Sequence, residues 1–326
     1  MAVFGILING IGWESAGGLT WVGGHTSAPV SLPERGRWPH TGSGAGLPNI
    51  AASLQNVDRT GTSAAGRNVA PVPDRQHERA AAWQRLRSQA ARQAPLLSAP
   101  APGSTGLCAG CRGPAPPGNL RCYLCDQFRQ CLPGLLPDVV VPVAYAPKGG
   151  QHAANLWQYK SAGPAAAAAA AALRALLLVF LGDHRRCVWQ SAGTAGPTHA
   201  AVVPSLRGRT GPHPLRALVA RYLTLPWAHL SVTCHDGPAL RDPDPSRFHS
   251  ERIAGASVLL LEDTWTSGAT AISAAAALRL AGARSVALVV LGRHLGAPQP
   301  GGDPFSPARM PFRPWLCAVH GPGSSQ

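Results

Sequence analysis

Apolar segments rich in β-branched residues alternate with helix-forming segments from residue 137 onward, and this alternation constrains the fold most. Continuously apolar strands need cover on both faces, which helices between parallel strands provide. The sequence therefore predicts an α/β domain, a parallel sheet with helices on both faces. The predicted strands are residues 137–146, 200–203, 230–234, 257–261 and 285–291. The predicted helices are residues 164–182, 214–223 and 269–282.

The longest predicted helix is the alanine-rich run PAAAAAAAALRALLLVFLG, which begins with Pro164 and ends with Gly182. Proline in the first turn and glycine at the end are typical helix boundaries. Alanine side chains are small, so we expect this helix to pack closely on the sheet. No run reaches the ~20 apolar residues that a membrane span requires, and we expect no membrane span.

The two ends of the chain differ in composition from the predicted domain. Residues 1–104 are rich in Gly, Ser, Pro and Thr and bury too little apolar surface to offset the entropy of ordering, which predicts a largely disordered segment. Within it, residues 73–94 are rich in helix formers, and we interpret them as a solvated basic helix. Residues 296–326 form a tail rich in Pro and Gly.

The chain carries a formal net charge of +14 and contains two lysines, so arginine supplies nearly all of its positive charge. The arginines are scattered along the chain, which argues against a dedicated nucleic-acid surface. The opening MAVFGILINGIGW is apolar but lacks the basic start and the cleavage site of a signal peptide. We expect a cytoplasmic protein.

Four of the eight cysteines form a compact Cys-x2-Cys-x10-Cys-x2-Cys pattern: Cys108, Cys111, Cys122 and Cys125. Two such knuckles can place four thiolates around one tetrahedral Zn²⁺, which would stabilise a small module that has no core of its own. Two disulfides or a degenerate relic are the alternatives. The other cysteines are interpreted as small buried apolar residues, with Cys131 close enough to compete for the metal. They are Cys131, Cys187, Cys234 and Cys317.

The stretch VLLLEDTWTSGAT places two carboxylates, Glu262 and Asp263, at the end of a predicted buried strand. If the backbone turns there, both carboxylates can reach one ligand, such as two neighbouring sugar hydroxyls, directly or through Mg²⁺. The loop at 264–270 offers hydroxyls and backbone N–H groups, and the next helix points its positive end at the same place. Together these features predict a ribose 5-phosphate pocket, although a solvated strand end and an ordinary N-cap would explain each part separately.

This stretch resembles the phosphoribosyl diphosphate signature of type I phosphoribosyltransferases. With a four-cysteine ribbon before it, the chain is similar to the ComF-type, competence-associated family of phosphoribosyltransferase-like proteins. The resemblance implies a zinc-ribbon-like module at 105–135 and a phosphoribosyltransferase-like domain at 136–295. In this chain Trp265 stands where the family has a small or aliphatic residue. His213 and Pro214 stand where the family has an Asn-Gln pair, after a longer basic stretch.

The resemblance also implies roles for individual residues. Glu262 and Asp263 would face the ribose hydroxyls, and Lys160 matches the family's short lysine-containing segment. The 5′-phosphate would be wrapped by Thr264, Thr266, Ser267, Gly268, Ala269 and Thr270. The diphosphate would contact Pro204, Ser205, Arg207 and Arg209, in the segment that begins at Val203. Arg247 and Arg252 would be diphosphate or lid contacts.

The implied ligand is phosphoribosyl diphosphate with Mg²⁺. Its diphosphate leaves from C1′ through an oxocarbenium-like state, and Glu262, Asp263, Lys160 and Arg207 are the candidate catalytic residues. The acceptor is undefined. The glutamine-using reaction is not expected, because no amino-terminal cysteine is present as a nucleophile. The alternative is a non-catalytic competence protein that binds single-stranded DNA, with Tyr123 and Phe128 as aromatic residues near the ribbon.

Overall fold

The structure, a computed structural model, describes residues 75–100, 106–207, 211–233, 241–296, 311–314 and 316–319. The helices are α1 (Arg75–Gln93), α2 (Tyr123–Cys131), α3 (Gln151–Gln158), α4 (Pro164–Ser191), α5 (Pro214–Val219) and α6 (Ala269–Leu280). The strands are β1 (Val139–Pro147), β2 (His199–Val202), β3 (Leu230–Val232), β4 (Phe248–Ser250), β5 (Ser257–Trp265) and β6 (Ser285–Leu295). Short 3₁₀ helices cover Ala94–Leu96 and Pro245–Arg247.

Four strands form a parallel sheet in the order β1-β6-β5-β2, which confirms the predicted α/β class. Alternate residues of β5 and β6 point to opposite faces. Leu259 and Leu261 pack in one core cluster with residues of α3, α4 and α5, whereas Val258 and Leu260 pack in a second cluster with α6. Helices therefore cover both faces of the sheet.

The four-cysteine module belongs to the second of these clusters. Cys108, Cys111 and Cys125 are buried there, together with Phe128 of α2. The same cluster contains α6 and one set of side chains from β5 and β6. The module thus contributes to the cover on the α6 face.

The prediction that residues 230–234 add a strand to this parallel alternation is wrong. β3 pairs antiparallel with β4, from Leu230 opposite Ser250 to Val232 opposite Phe248, and the two form a separate two-stranded sheet. A short apolar run is compatible with either kind of pairing, so periodicity alone did not distinguish them.

Helix α4 does not end at Gly182 but continues to Ser191. Gly182 instead makes room for α1, because a Cβ atom at this position would lie 2.5 Å from the ring of Trp83. Trp83 and Ala90 of α1 are buried with Ala175 and Val179 of α4. The interpretation of this amino-terminal helix as solvated is therefore wrong for one of its faces.

Helix α4 also corrects the statement that no segment is apolar enough to span a membrane. Among the described helices, α4 is the one long and apolar enough to cross a membrane, with a mean hydropathy of 2.1 in its most apolar window. Of that window, 61% is buried within the fold. Core helices of soluble proteins have the same properties, so this is weak evidence for a membrane span.

Residues 1–74, which include most of the predicted disordered segment, lie outside the described residues. Of the predicted tail at 296–326, the structure describes Gly296, 311–314 and 316–319. Phe312 and Val319 pack against the core cluster on the α4 face, and Cys317 is buried in it. Part of the tail thus belongs to the folded domain.

We expect Trp83→Ala to lower the free energy of unfolding by about 3 kcal/mol, because it removes a large buried ring between α1 and α4. Trp157→Ala is the matched control, since this tryptophan is 74% exposed and should cost no more than about 0.5 kcal/mol. Urea unfolding of both variants measures the difference. Equal costs would contradict the docking of α1 described above.

Candidate functional site

The two carboxylates Glu262 and Asp263 lie at the carboxyl end of the sheet, but β5 does not end at Leu261 as predicted. It continues through Trp265, with Glu262 opposite Val290 and Thr264 opposite Gly292 of β6. Because the backbone stays extended, successive side chains point to opposite faces. The expectation that the backbone turns at the acidic pair is therefore wrong, and the two carboxylates leave β5 on opposite sides.

Asp263 is held by two residues that follow α3. The hydroxyl of Tyr159 donates to Oδ2 at 2.5 Å, and Nζ of Lys160 lies 2.9 Å from Oδ1 and 2.8 Å from Oδ2. Burial acts to raise the pKa of Asp263, but the charge of Lys160 and the hydrogen bonds from Lys160, Tyr159 and Thr264 outweigh it. The pKa of Asp263 is therefore below its usual value, and this carboxylate is ionised.

Glu262 has the opposite electrostatic environment. Its Oε1 accepts hydrogen bonds from the backbone N–H groups of Asp263 at 2.9 Å and Thr264 at 3.3 Å. Burial, and then the neighbouring charge of Asp263, nevertheless raise the pKa of Glu262 well above its usual range. The pair thus combines one ionised carboxylate with one that holds its proton more strongly.

The loop after β5 is shaped by a close contact between Trp265 and Gly268. Trp265 is buried in the core, and a Cβ atom at Gly268 would lie 2.1 Å from its ring. Gly268 has φ of +92°, a left-handed conformation that glycine adopts without strain, and it is the N-cap of α6. The packing of Trp265 against Gly268 therefore fixes the position of the turn.

The hydroxyls predicted to wrap a phosphate lie at this turn and at the start of α6. Thr266 is exposed, whereas Thr264, Ser267 and Thr270 are half-buried. The Oγ atom of Ser267 accepts a hydrogen bond from the backbone N–H of Ala269 at 3.4 Å. The amino terminus of a helix and its loop form the type of site that binds anions in many proteins.

The predicted diphosphate residues reach the same edge of the sheet, because β2 pairs in parallel with β5 up to Val202 and Leu261. Pro204 and Ser205 are half-buried, and Arg207 is exposed. The backbone N–H of Arg207 donates to Oγ of Ser205 at 3.3 Å. Arg209 lies outside the described residues.

The two arginines predicted as diphosphate or lid contacts lie on either side of β4, with Arg247 before it and Arg252 after it. Arg247 pairs with Asp244 at 3.3 Å, and Arg252 is exposed. Of the predicted cations that the structure describes, Lys160 is the one that contacts the acidic pair.

The thiol sulfurs of Cys108, Cys111, Cys122 and Cys125 all lie within 4.8 Å of one another. The sulfurs of Cys111 and Cys122 are 3.8 Å apart. Two thiolates of a tetrahedral zinc site with Zn–S bonds of about 2.3 Å are separated by about 3.8 Å. The four cysteines therefore fit a Zn²⁺ ion. Cys131, the predicted competitor, is exposed and outside this group.

Contacts among these thiols also change their protonation. Hydrogen bonds from the other three thiols lower the pKa of Cys108, and the hydrogen bond with Cys108 raises the pKa of Cys125. Four neighbouring thiols cannot all lose their protons unless a cation compensates the negative charge, which is what zinc binding provides.

Arg293 of β6 connects the cysteine group to the loop after β5, and we did not predict it from the sequence. One guanidinium nitrogen, Nη1, donates to the carbonyl of Thr266 at 3.0 Å and to that of Trp265 at 3.4 Å. The other, Nη2, donates to the sulfur of Cys111 at 3.7 Å. The sequence did contain a signal for Arg293. It follows the predicted strand at 285–291, and the carboxyl ends of parallel strands meet at one edge of the sheet.

Tyr159 and His294 are two further residues of this edge that we did not predict. Tyr159 directly precedes Lys160, so the resemblance that identified the lysine also covered the tyrosine. His294 follows Arg293 on β6 and is half-buried. Burial, and then the charges of Arg293 and Lys160, lower its pKa, so His294 is neutral near pH 7.

No protein-family model matches the chain, and no curated protein matches it. Two crystal structures of a hypoxanthine phosphoribosyltransferase from Staphylococcus aureus are weakly similar. One has a TM-score of 0.25 and 12% identity over 43% of this chain and 84% of that chain. The other has a TM-score of 0.23 and 13% identity over 40% and 85%. Similarity this low supports no conclusion about this chain.

We expect Cys122→Ser/Cys125→Ser to remove one equivalent of bound zinc and to destabilise the domain by several kcal/mol, because the cysteine group packs in the sheet's core. Bound metal by mass spectrometry and the urea unfolding midpoint are the measurements. Cys131→Ser is the control and should change neither. Unchanged zinc in the double variant would contradict a metal at these thiols.

We expect Glu262→Gln to raise the free energy of unfolding at pH 7 by about 1 kcal/mol. The raised pKa of Glu262 means that its ionisation favours the unfolded chain at neutral pH, and glutamine removes that cost. The gain should shrink as the pH falls through the raised pKa, because Glu262 then becomes protonated in the fold. Thermal unfolding between pH 5 and pH 8 tests this. An unaltered gain across that range, or a loss at pH 7, would contradict it.

Proposed function

We propose that this protein binds phosphoribosyl diphosphate with Mg²⁺ and transfers its phosphoribosyl group to an acceptor. One observation carries the proposal: an acidic pair at the carboxyl end of a central parallel strand lies directly before a tight loop and a helix amino terminus. Carboxylates suit the sugar hydroxyls and the loop suits a phosphate. The resemblance of this stretch to the type I phosphoribosyltransferase signature supports the same ligand.

In this proposal one carboxylate of the pair accepts hydrogen bonds from the ribose 2′ and 3′ hydroxyls directly. The other, which leaves β5 on the opposite side, acts through Mg²⁺ and its waters. The 5′-phosphate lies against the loop from Thr264 to Thr270 and the amino terminus of α6. Oxygen ligands suit Mg²⁺, which retains several of its waters, so a carboxylate of this pair would hold the ion through waters. When bound, Mg²⁺ neutralises charge on the departing diphosphate.

The chemical step breaks the bond between C1′ and the diphosphate oxygen, whose electron pair leaves with the diphosphate, and forms a bond from the acceptor to C1′. Protein cations assist by stabilising the leaving charge. Arg207 lies after β2, exposed at the same edge of the sheet. Lys160 already neutralises Asp263, which supports a role in positioning that carboxylate.

The alternative, binding of single-stranded DNA without catalysis, receives less support. Stacking on bases requires exposed aromatic side chains near cations. Tyr123 is 76% exposed, but Phe128 is 1% exposed and belongs to the core. One of the two candidate aromatic residues is therefore unable to stack on a base.

The test is calorimetric titration of phosphoribosyl diphosphate, with and without Mg²⁺, into the full-length zinc-loaded protein. We expect binding to the wild type that weakens without Mg²⁺. In Glu262→Gln/Asp263→Asn the affinity should fall by at least about 30-fold, because charge-assisted hydrogen bonds to the sugar are lost. Glu78→Gln, an exposed carboxylate on α1, is the control and should bind as the wild type does.

Circular dichroism and zinc content of the double variant show whether it is folded. Equal affinity of the folded double variant and the wild type would show that the acidic pair is not part of the binding site. Absence of binding to the folded wild type would overturn the proposal and favour the titration of single-stranded DNA at two salt concentrations. Where binding is found, release of diphosphate in the presence of bases and amines identifies the acceptor.

A further inference from the structure

A second group of metal-ligating side chains lies apart from the four-cysteine group. His184 and Cys187 belong to α4, and Cys317 belongs to the carboxyl-terminal segment. One ligand atom from each lies within 4.8 Å of the other two. His184 is 1% exposed and Cys317 3% exposed, and Cys187 is half-buried. We interpreted both cysteines from the sequence as small apolar residues.

The helix places two of these ligands on one face. His184 and Cys187 are three residues apart, which brings their side chains together on an α-helix. Nδ1 of His184 lies 4.0 Å from the sulfur of Cys187. Nitrogen and sulfur ligands of one tetrahedral Zn²⁺ ion are about 3.6 Å apart. A shift of a few tenths of an ångström would therefore bring these two ligands to the separation that zinc requires.

A hydrogen bond on the other side of the ring orients His184. Nε2 lies 2.6 Å from the backbone carbonyl of Pro314, and a carbonyl oxygen only accepts hydrogen bonds. Nε2 therefore carries the proton, and Nδ1 presents its lone pair on the side of Cys187. A carbonyl that fixes the tautomer in this way is a common outer partner of histidines that bind metals.

Packing alone explains the two thiols, because buried cysteines behave as small apolar residues. A thiol–imidazole hydrogen bond accounts for the contact between Nδ1 of His184 and the sulfur of Cys187. The same arrangement, with a second thiol within 4.8 Å, also gives the ligand atoms of a metal site. Phe180 packs against the imidazole ring of His184, with ring centroids 4.9 Å apart. Imidazole and thiolates together form a ligand set that suits zinc.

We propose that His184, Cys187 and Cys317 bind a second Zn²⁺ ion, which attaches the carboxyl-terminal segment to α4. Three protein ligands leave one position of a tetrahedral ion to water. Cys187 and Cys317 pack with the core on the α4 face of the sheet, and the four-cysteine group packs on the α6 face. The two sites therefore fill independently, and this proposal does not depend on the proposed transferase activity.

The first test counts zinc in the full-length protein after equilibrium dialysis against a zinc-buffered, reducing solution. We expect two equivalents in the wild type, one in Cys187→Ser/Cys317→Ser, and two in the control Cys131→Ser. The remaining equivalent of the double variant should disappear when Cys122→Ser/Cys125→Ser is added. One equivalent in the wild type, or two in Cys187→Ser/Cys317→Ser, would overturn the proposal.

The second test uses the wild type, so it does not depend on the folding of a variant. Alkylation under native conditions, read by peptide mass spectrometry, should label Cys187 and Cys317 more than tenfold more slowly with zinc than with a chelator, at a chelator concentration at which circular dichroism shows the protein still folded. The exposed Cys131 should react at the same rate in both. Equal rates at Cys187 and Cys317 with and without zinc, in protein whose Cys108 is protected by zinc, would overturn the proposal. So would labelling of Cys187 and Cys317 that requires reductant, since that result indicates a disulfide.

Discussion

The requirement to cover both faces of a short parallel sheet determines how the rest of the molecule is arranged. β5 and β6 are apolar on both faces, so neither face tolerates water. Helices α3, α4 and α5 cover one face, and α6 shares the other with the cysteine module. The module is therefore part of the domain's core, so a metal bound at the cysteines would also stabilise the folded sheet.

Features encoded in contiguous residues were predictable from the sequence, and contacts between distant residues were not. The four cysteines and the acidic pair with its loop each occupy one short stretch. Tyr159 and Asp263 form a hydrogen bond although they are 104 residues apart in the sequence, and no local sequence pattern predicts such a contact. The strand end was placed too early because Thr264 follows two carboxylates and resembles a loop residue, although the β-propensity of Trp265 was a signal that β5 continues.

The two carboxylates of the acidic pair differ in how far the fold compensates their charge. Asp263 is compensated by Lys160 and Tyr159, whereas Glu262 has backbone N–H groups as partners and a raised pKa. A carboxylate whose ionisation is unfavourable in the fold gains most from a ligand that supplies compensating charge. Mg²⁺ is such a ligand. The cost that Glu262 imposes on the domain alone is thus what a bound cation would relieve.

Arg293 contacts both the cysteine group and the loop after β5, so it can couple the two. The carbonyls of Trp265 and Thr266 point toward its guanidinium. In a planar trans peptide the N–H group points opposite to the carbonyl, and the described chain contains no cis peptide. The N–H groups of Thr266 and Ser267 are therefore directed away from Arg293, and an anion bound to them would lie on the side opposite the guanidinium. Because Arg293 also contacts Cys111, a metal that orders the cysteines would also fix the orientation of these N–H groups.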